Sequence, residues 1–349
     1  MEIVSDIQEI AKKLTETEEE RRRLAQIVRK IGERNETILK VKEKSFRDLK
    51  VVAVDGGLSK RSLHGFDFVL TRAVGVCFNY KDGKVVSVEY HPSRKPPVKI
   101  GVADAYSDLD LAYYTSIMRT KLEIETALQC LDKFKPDIII LDGSIVLHHS
   151  DRPSKSSPVF DMYVELLKRY EELYERVMKT STMLAGVIED SRSRRFCETI
   201  MPGLVLEERM MSILNRTRDT SLLFWVLKNG EMTSDFSYTQ NPERHHILKD
   251  IDEKYRRIIR SFYLKTVEYD RPVKIDYLKI KEGIQDDISS IIFEISKYNS
   301  TYGLPAPLIE ADSVAKLSEN EAESFYSFLH SIVGDVPGLM KLRREQRPF

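Results

Sequence analysis

Residues 51–60 read VVAVDGGLSK. Val51, Val52, Ala53 and Val54 form a short, mostly β-branched apolar run of the kind that fills a buried strand. The run stops on Asp55 and two glycines. A carboxylate at the tip of a dry strand is costly to bury unless something pairs with it. Asp55 is therefore either a turn residue or a functional group displayed at a strand end.

The rest of the chain narrows that choice. Its 349 residues are 42% apolar and 32% charged, an ordinary balance for a globular protein of one large domain or two modest ones. The 55 basic and 55 acidic side chains cancel, so a nucleic-acid partner is not announced by bulk charge and any phosphate contact must be a local patch. Cys77, Cys130 and Cys197 are odd in number and far apart, which argues against a disulfide framework or a CxxC metal site. No run is long and apolar enough to span a bilayer, and the opening MEIVSDIQEIAKK lacks the pattern of a signal peptide; the expectation is a cytoplasmic protein without a membrane partner. The histidines show no HExxH spacing, and there is no GxxxxGK[ST] loop. Chemistry is left to carboxylates and hydroxyls.

Residues 1–46 read as a helical arm, with Ile3, Ile7, Ile10 and Leu14, then Leu24, Ile27, Val28 and Ile31, at helical spacing among charges. The remainder, 47–349, reads as the main domain. VVAVDGG, FDFVLTRAVGVCFNY (66–80) and, after the turn KDGK, VVSVEYH (85–91) form three consecutive antiparallel strands. A long helix follows at 109–134 and stops at Pro136. DIIILDGS (137–144) is then a buried strand of parallel type. Further helices are expected at 159–180, 204–217, 281–297, 307–317 and 319–333, and strands at 183–191, 221–227, 260–267 and 273–278. Three antiparallel strands, a helix and a parallel strand follow the order of a ribonuclease H-like α/β fold, a mixed sheet flanked by helices, here with helical additions at both ends.

That order places Asp55 and Asp142 at the ends of adjacent strands, each followed by glycine. Functional groups gather at such strand ends in open α/β sheets, and two unpaired carboxylates side by side make sense mainly around a cation. The intervening helix offers Glu123 and Glu125, two positions apart and so on roughly opposite faces. Glu123 falls with Ser116, Arg119 and Thr120, a set that reads as water-facing; Glu125 falls with Leu111, Met118, Leu122 and Leu128, which reads as sheet-facing. Glu125 is the expected third acid. In APLIEADSVAKL, Asp312 shares a face with Leu308, Ala311 and Ala315 and is expected on the buried side, with Glu310 pointing elsewhere. Asp55, Glu125, Asp142 and Asp312 would form an all-oxygen site for a pair of hard divalent ions that cleaves phosphodiesters.

These residues resemble the NurA nucleases, partners of the hexameric HerA translocase. The resemblance spans roughly residues 50–315 and rests on VVAVDGG, Glu125, LDGS, VIEDSRS and GLPAPLIEAD. It implies a ribonuclease H-like core, a toroidal homodimer, and DNA cleavage that depends on Mn²⁺ or Mg²⁺, both endonucleolytic and 5′-to-3′ exonucleolytic, in end resection during double-strand break repair. Asp55, Glu125 and Asp142 match the family's metal-binding acids. Leu304 and Asp312 stand where the family usually has a tyrosine and a histidine. Lys60 and Arg61 after DGG, and Arg192, Arg194 and Arg195 in SRSRR, are the expected phosphate contacts. His148 and His149 read as polar loop residues. Two other functions share parts of this pattern: an actin-like or chaperone-type ATPase, and a non-catalytic DNA-binding adaptor.

Overall fold

The computed structural model describes residues 2–44, 46–104, 106–204, 206–334, 336–340 and 342. Met1, Ser45 and 343–349, which the expected arm and main domain include, lie outside the described residues. In chain order the elements begin with α1 (Glu2–Arg34), β1 (Ile38–Lys40), β2 (Asp48–Ser62), β3 (Asp67–Lys81), β4 (Lys84–His91) and β5 (Lys99–Ala103). Then come α2 (Asp108–Phe134), β6 (Ile138–Asp142), α3 (Phe160–Thr180), β7 (Met183–Ile188), α4 (Arg195–Ile200), α5 (Glu208–Arg216) and α6 (Asp219–Val226). The chain closes with β8 (Glu231–Thr233), β9 (Phe236–Ser237), α7 (Glu253–Arg256), β10 (Ile259–Lys265), β11 (Val273–Leu278), α8 (Ile284–Ser296), α9 (Ala306–Ala315) and α10 (Glu319–Val333). These elements form two compact units, one from the segments Met1–Lys44, Gly186–Gln240 and Arg257–Ala306, the other from Ser45–Ala185, Asn241–Arg256 and Pro307–Phe349.

The second unit carries the ribonuclease H-like order. β2 pairs antiparallel with β3 along its whole length, β3 pairs with β4 and, at its other end, with β5. β6 lies parallel on the other edge of β2, with Val51 opposite Ile138 and Val54 opposite Leu141. β2, expected to end at Asp55, continues unbroken to Ser62, with Asp55 opposite Val74 and Gly57 opposite Arg72. Asp55 is thus in mid-strand, at the point where β6 ends on Asp142. An Asp-Gly turn is excluded. α2 packs on β2 and β3; its Ser107 cap accepts from Asp110 N, and Lys135 closes it in the left-handed region ahead of Pro136.

The first unit is organised around β1, β8, β10 and β11 in that order, with β9 also on β10. Its core joins Leu24, Ala25 and Val28 of α1 to Leu214, Leu222, Leu223, Val226 and Tyr263. Helix α1 ends at Arg34, short of the expected boundary, and β1 fills part of the gap. SLLFWVL, expected as a strand, is helix α6. A short continuous apolar run carries no period; here Asp219 opens the helix and accepts from the backbone N–H groups of Phe196 and Cys197, at 3.0 and 2.9 Å.

Candidate active site

The acids meet where β6 stops pairing with β2. Asp55 is 4% exposed, and its Oδ1 accepts from Gly56 N at 2.7 Å. Asp142, one step beyond the last β2–β6 pair, opens to solvent beside the Asp55 carboxyl, and each aspartate acts on the other's electrostatics. The third acid is Glu123, only 9% exposed. The two glycines make this approach feasible. A Cβ on Gly56 would collide with the Glu123 carboxylate, and one on Gly57 with the carbonyl of Ala315 at the end of α9. DGG is therefore a flat stretch of strand onto which a helix side chain and a helix end are lowered.

The electrostatics are those of a crowded anionic site. Burial, then the charges of Asp142 and Glu123, push the Asp55 carboxyl up to about 8. Burial lifts Glu123 to about 7, with Arg119 opposing and Asp142 adding to the shift. Asp142 is also held above its ordinary value, by desolvation first, and Asp312 adds to the shifts of both aspartates. Among the described residues Glu123 Oε1 is buried without a hydrogen-bond partner, although Arg119 Nη1 stands 3.4 Å away. Nothing in a stable core calls for such an arrangement.

Residues 49–317 match the NurA domain. The chain belongs to the NurA family. Its fold is similar to that of the NurA nuclease from Sulfolobus solfataricus, with a TM-score of 0.61 and 17% identity over 95% of this chain and 97% of that one. A NurA structure bound to dAMP and manganese aligns with a TM-score of 0.54 at 12% identity, covering 96% of this chain and 98% of that one. Another NurA structure, with manganese, gives 0.53 at 13% identity over 95% and 99%. No curated protein matches the sequence.

Within this NurA fold the residues expected from sequence separate into two groups. Asp55 and Asp142 come together as expected. Glu125 does not join them: its side chain is 28% exposed and faces Lys99 Nζ at 3.6 Å. The face assignment of α2 fails to separate the two acids, because the helix is buried on more than one side: Leu111 and Leu128 of the expected stripe are buried, and so are Thr120 and Glu123, which were expected to face water. The charge of Asp312 acts on Asp55 and Asp142, yet Asp312 lies on the exposed side of α9 and not the buried side, which is Pro307, Leu308, Ala311 and Ala315. Glu310 accepts from Tyr90 Oη at 2.7 Å. Leu304 is buried, in the first unit.

The basic residues divide in the same way. Lys60 is exposed and, with Ser59, Arg61 and Ser62, lines a cavity of about 440 Å³ beside the far half of β2. Arg61 is already engaged, ion-paired to Glu323 and stacked 4.0 Å above the Tyr326 ring. In the first unit Arg194 donates to the carbonyls of Leu214 and Thr217, and Arg195 to that of Ser237. Arg192 is the exposed member of SRSRR. His148 and His149 are exposed and stacked on each other at 4.2 Å.

Sequence reasoning passed over two arginines. Arg119 sits among Glu123, Asp55, Asp142 and Asp151, which hold it above its ordinary value, Glu123 most of all. Arg72, buried on β3 opposite Gly57, donates to the carbonyls of Ala315 and Lys316 and to Glu321. It ties the C-terminal end of α9, the helix of Asp312, to the DGG strand. The signal was present: FVLTRAVGVCF is apolar apart from Thr71, Arg72 and a glycine.

The donor set fits a divalent cation. Hard ions take oxygen ligands, and the orphaned Glu123 oxygen with two repelling aspartates is a set that a cation would stabilise. As they stand, no three His, Cys, Asp or Glu side chains among the described residues enclose an ion. A bound ion would have to draw these carboxylates closer, offsetting their repulsion.

Proposed function

We propose that this NurA-family chain is a divalent-metal-dependent deoxyribonuclease that hydrolyses phosphodiesters, both endonucleolytically and from 5′ ends, in the resection of double-strand breaks. The observation that carries the reading is the meeting of Asp55, Glu123 and Asp142 with one carboxylate oxygen left buried and unbonded. NurA structures solved with manganese, and with dAMP and manganese, support a metal and a nucleotide at this fold.

Asp55, Glu123 and Asp142 would hold two ions, Mn²⁺ or Mg²⁺, with Asp312 contributing from the exposed side of α9. Such ions supply polarisation of the phosphate and activation of water. The chain does the positioning. The Gly56 amide orients the Asp55 carboxylate, and Gly56 admits Glu123 to the same strand. Arg72 fixes the end of α9. Lys60, farther along β2, offers a positive charge to a phosphate flanking the reacting one.

The homodimer, the HerA-type hexameric translocase and the cytoplasmic location implied by the family resemblance belong to the same proposal. The exposed apolar stripe Ile3, Ile7, Ile10 and Leu14 on α1 supports a protein partner. The test is labelled linear DNA incubated with Mn²⁺ while ATP turnover is followed in parallel. Mn²⁺-dependent shortening without ATP hydrolysis is expected. ATP hydrolysis without cleavage would replace this reading by an actin-like ATPase, and binding with neither reaction by an adaptor.

A further inference from the structure

We propose that Arg119 is a substrate-phosphate contact that rests on Glu123 in the metal-free protein and turns to the DNA backbone when a divalent ion takes the carboxylate. The inference depends on the nuclease reading above and assigns a residue to it.

The geometry is that of a temporary partner. Arg119 Nη1 is 3.4 Å from Glu123 Oε1, and that oxygen accepts no hydrogen bond. Charge-assisted bonds that fix a structural arginine are shorter, about 2.7–2.9 Å, and often bidentate. This chain builds such pairs elsewhere: Arg29 grips both oxygens of Glu231 at 2.8 and 3.0 Å, and Arg260 holds Asp235 at 2.6 Å. Arg72 is bonded to two carbonyls and a carboxylate. Arg119 has an ion pair of poor geometry, a side chain 38% exposed, and among the described residues no hydrogen bond to its guanidinium.

Its surroundings explain both states. Glu123, Asp55, Asp142 and Asp151 all act on it, so without an ion one cation serves several anions. A phosphodiester brought to that cluster would be repelled. With ions on the carboxylates, Glu123 no longer needs a guanidinium, whose planar fork of N–H donors matches two phosphate oxygens. Arg119 and Glu123 lie one helical turn apart on α2. A change of side-chain rotamer suffices for the exchange, and the helix need not move.

The two roles predict opposite effects of one substitution. Mn²⁺ binding is measured without DNA by calorimetry, and DNA binding by fluorescence anisotropy on a labelled, cleavage-resistant phosphorothioate duplex in Mn²⁺ over a range of salt. Arg119→Gln should bind Mn²⁺ more tightly, because a competing cation is gone. It should bind DNA about tenfold more weakly, as expected for one charge-assisted bond, with a salt slope shallower by about one. Arg119→Lys, which keeps the charge and guards against misfolding of the glutamine variant, should retain the slope with intermediate affinity. Weaker Mn²⁺ binding with unchanged DNA affinity and slope in Arg119→Gln would make Arg119 a structural counter-ion only. If Arg119→Gln does not fold, Arg119→Lys decides: parental DNA affinity would overturn the proposal. Failure of the unmodified protein to bind Mn²⁺ or DNA at all would instead remove the nuclease reading, and this proposal with it.

Discussion

Helix α2 carries two glutamates two residues apart, and they lead different lives. Glu125 stands at the surface, 28% exposed, with Lys99 at 3.6 Å. Glu123 is pressed against Gly56, with two aspartates for neighbours, one unbonded oxygen, and a carboxyl lifted to about 7 by burial. The first is in the state that folding favours, a solvated charge with a loose partner. The second is in a state that folding resists and that a proton or a bound cation would relieve. An acid whose surroundings satisfy it needs no further explanation; one that is buried and unsatisfied marks a site.

The largest effect should separate these two acids directly. Asp55→Asn, Asp142→Asn and Glu123→Gln are each expected to lower DNA cleavage by about a thousandfold or more, the scale of losing a ligand to catalytic ions. Glu125→Gln should stay within about twofold of the parent. Rates on one labelled duplex at saturating Mn²⁺ decide it, and an inactive Glu125→Gln beside an active Glu123→Gln would reverse the comparison.

Next in size is the contrast between the two overlooked arginines. Arg72 is 9% exposed and fully bonded, so Arg72→Met strands the carbonyls of Ala315 and Lys316 and should cost about 2–4 kcal/mol of stability. Arg119→Gln should change stability little. Urea unfolding of both metal-free variants is the measurement, and equal losses would show that Arg119 is as structural as Arg72.

A smaller effect tests Asp312, the exposed acid. Asp312→Ala should reduce cleavage about tenfold. Asp312→His should stay active and prefer Mn²⁺ over Mg²⁺ more strongly than the parent, because imidazole suits the later transition metals. Glu310→Ala loses the Tyr90 bond and should cleave at nearly the parental rate. The Mn²⁺-to-Mg²⁺ rate ratio on one substrate is the readout; a parental ratio in Asp312→His would remove Asp312 from the ion site.

The smallest effect is on stability against pH. Asp55 at about 8 and Glu123 at about 7 lie above the ordinary carboxylate range near ~4. Between those limits the folded protein keeps protons that the unfolded chain has released. Their contribution therefore falls as pH rises from about 4 to about 8. The melting temperature of metal-free Asp55→Asn should exceed that of the parent by a few degrees at pH 8, with the gap closing toward pH 5. Added Mn²⁺ should stabilise the parent more at pH 8 than at pH 5, since ions and protons compete for the same oxygens. A gap independent of pH would mean that Asp55 is not strained in the fold.

Much of the second unit was legible because its signals are local. Two β-rich runs flanking the KDGK turn marked β3 and β4, and the stretch from Leu109 to Pro136 marked α2 nearly to the residue. The errors came where a residue's partners are distant in sequence. SLLFWVL is apolar throughout and has no period, so it was the core around Leu24 and Val28 that made it a helix. Hydrophobicity does not separate the faces of α2, since Leu111 and Leu128 are buried along with Thr120 and Glu123. The distant partners are glycines of the sheet: Glu123 sits where a Cβ on Gly56 would be, and Cys130 where a Cβ on Gly75 would be.

By itself the sequence determined which side chains this protein has for chemistry and roughly where the strands place them. Asp-Gly beside a β-branched run put Asp55 and Asp142 at neighbouring strand positions, because strand pairing follows local pattern and the parallel order after a helix leaves few alternatives. Only the tertiary structure decided that Asp55 lies within a continuous strand, that Glu123 rather than Glu125 faces it, and that Arg119 and Arg72 attend the site. The physical reason is that burial and charge depend on what approaches from elsewhere in the chain. Two glutamates of identical chemistry differ here only in which surface their helix lays against the sheet.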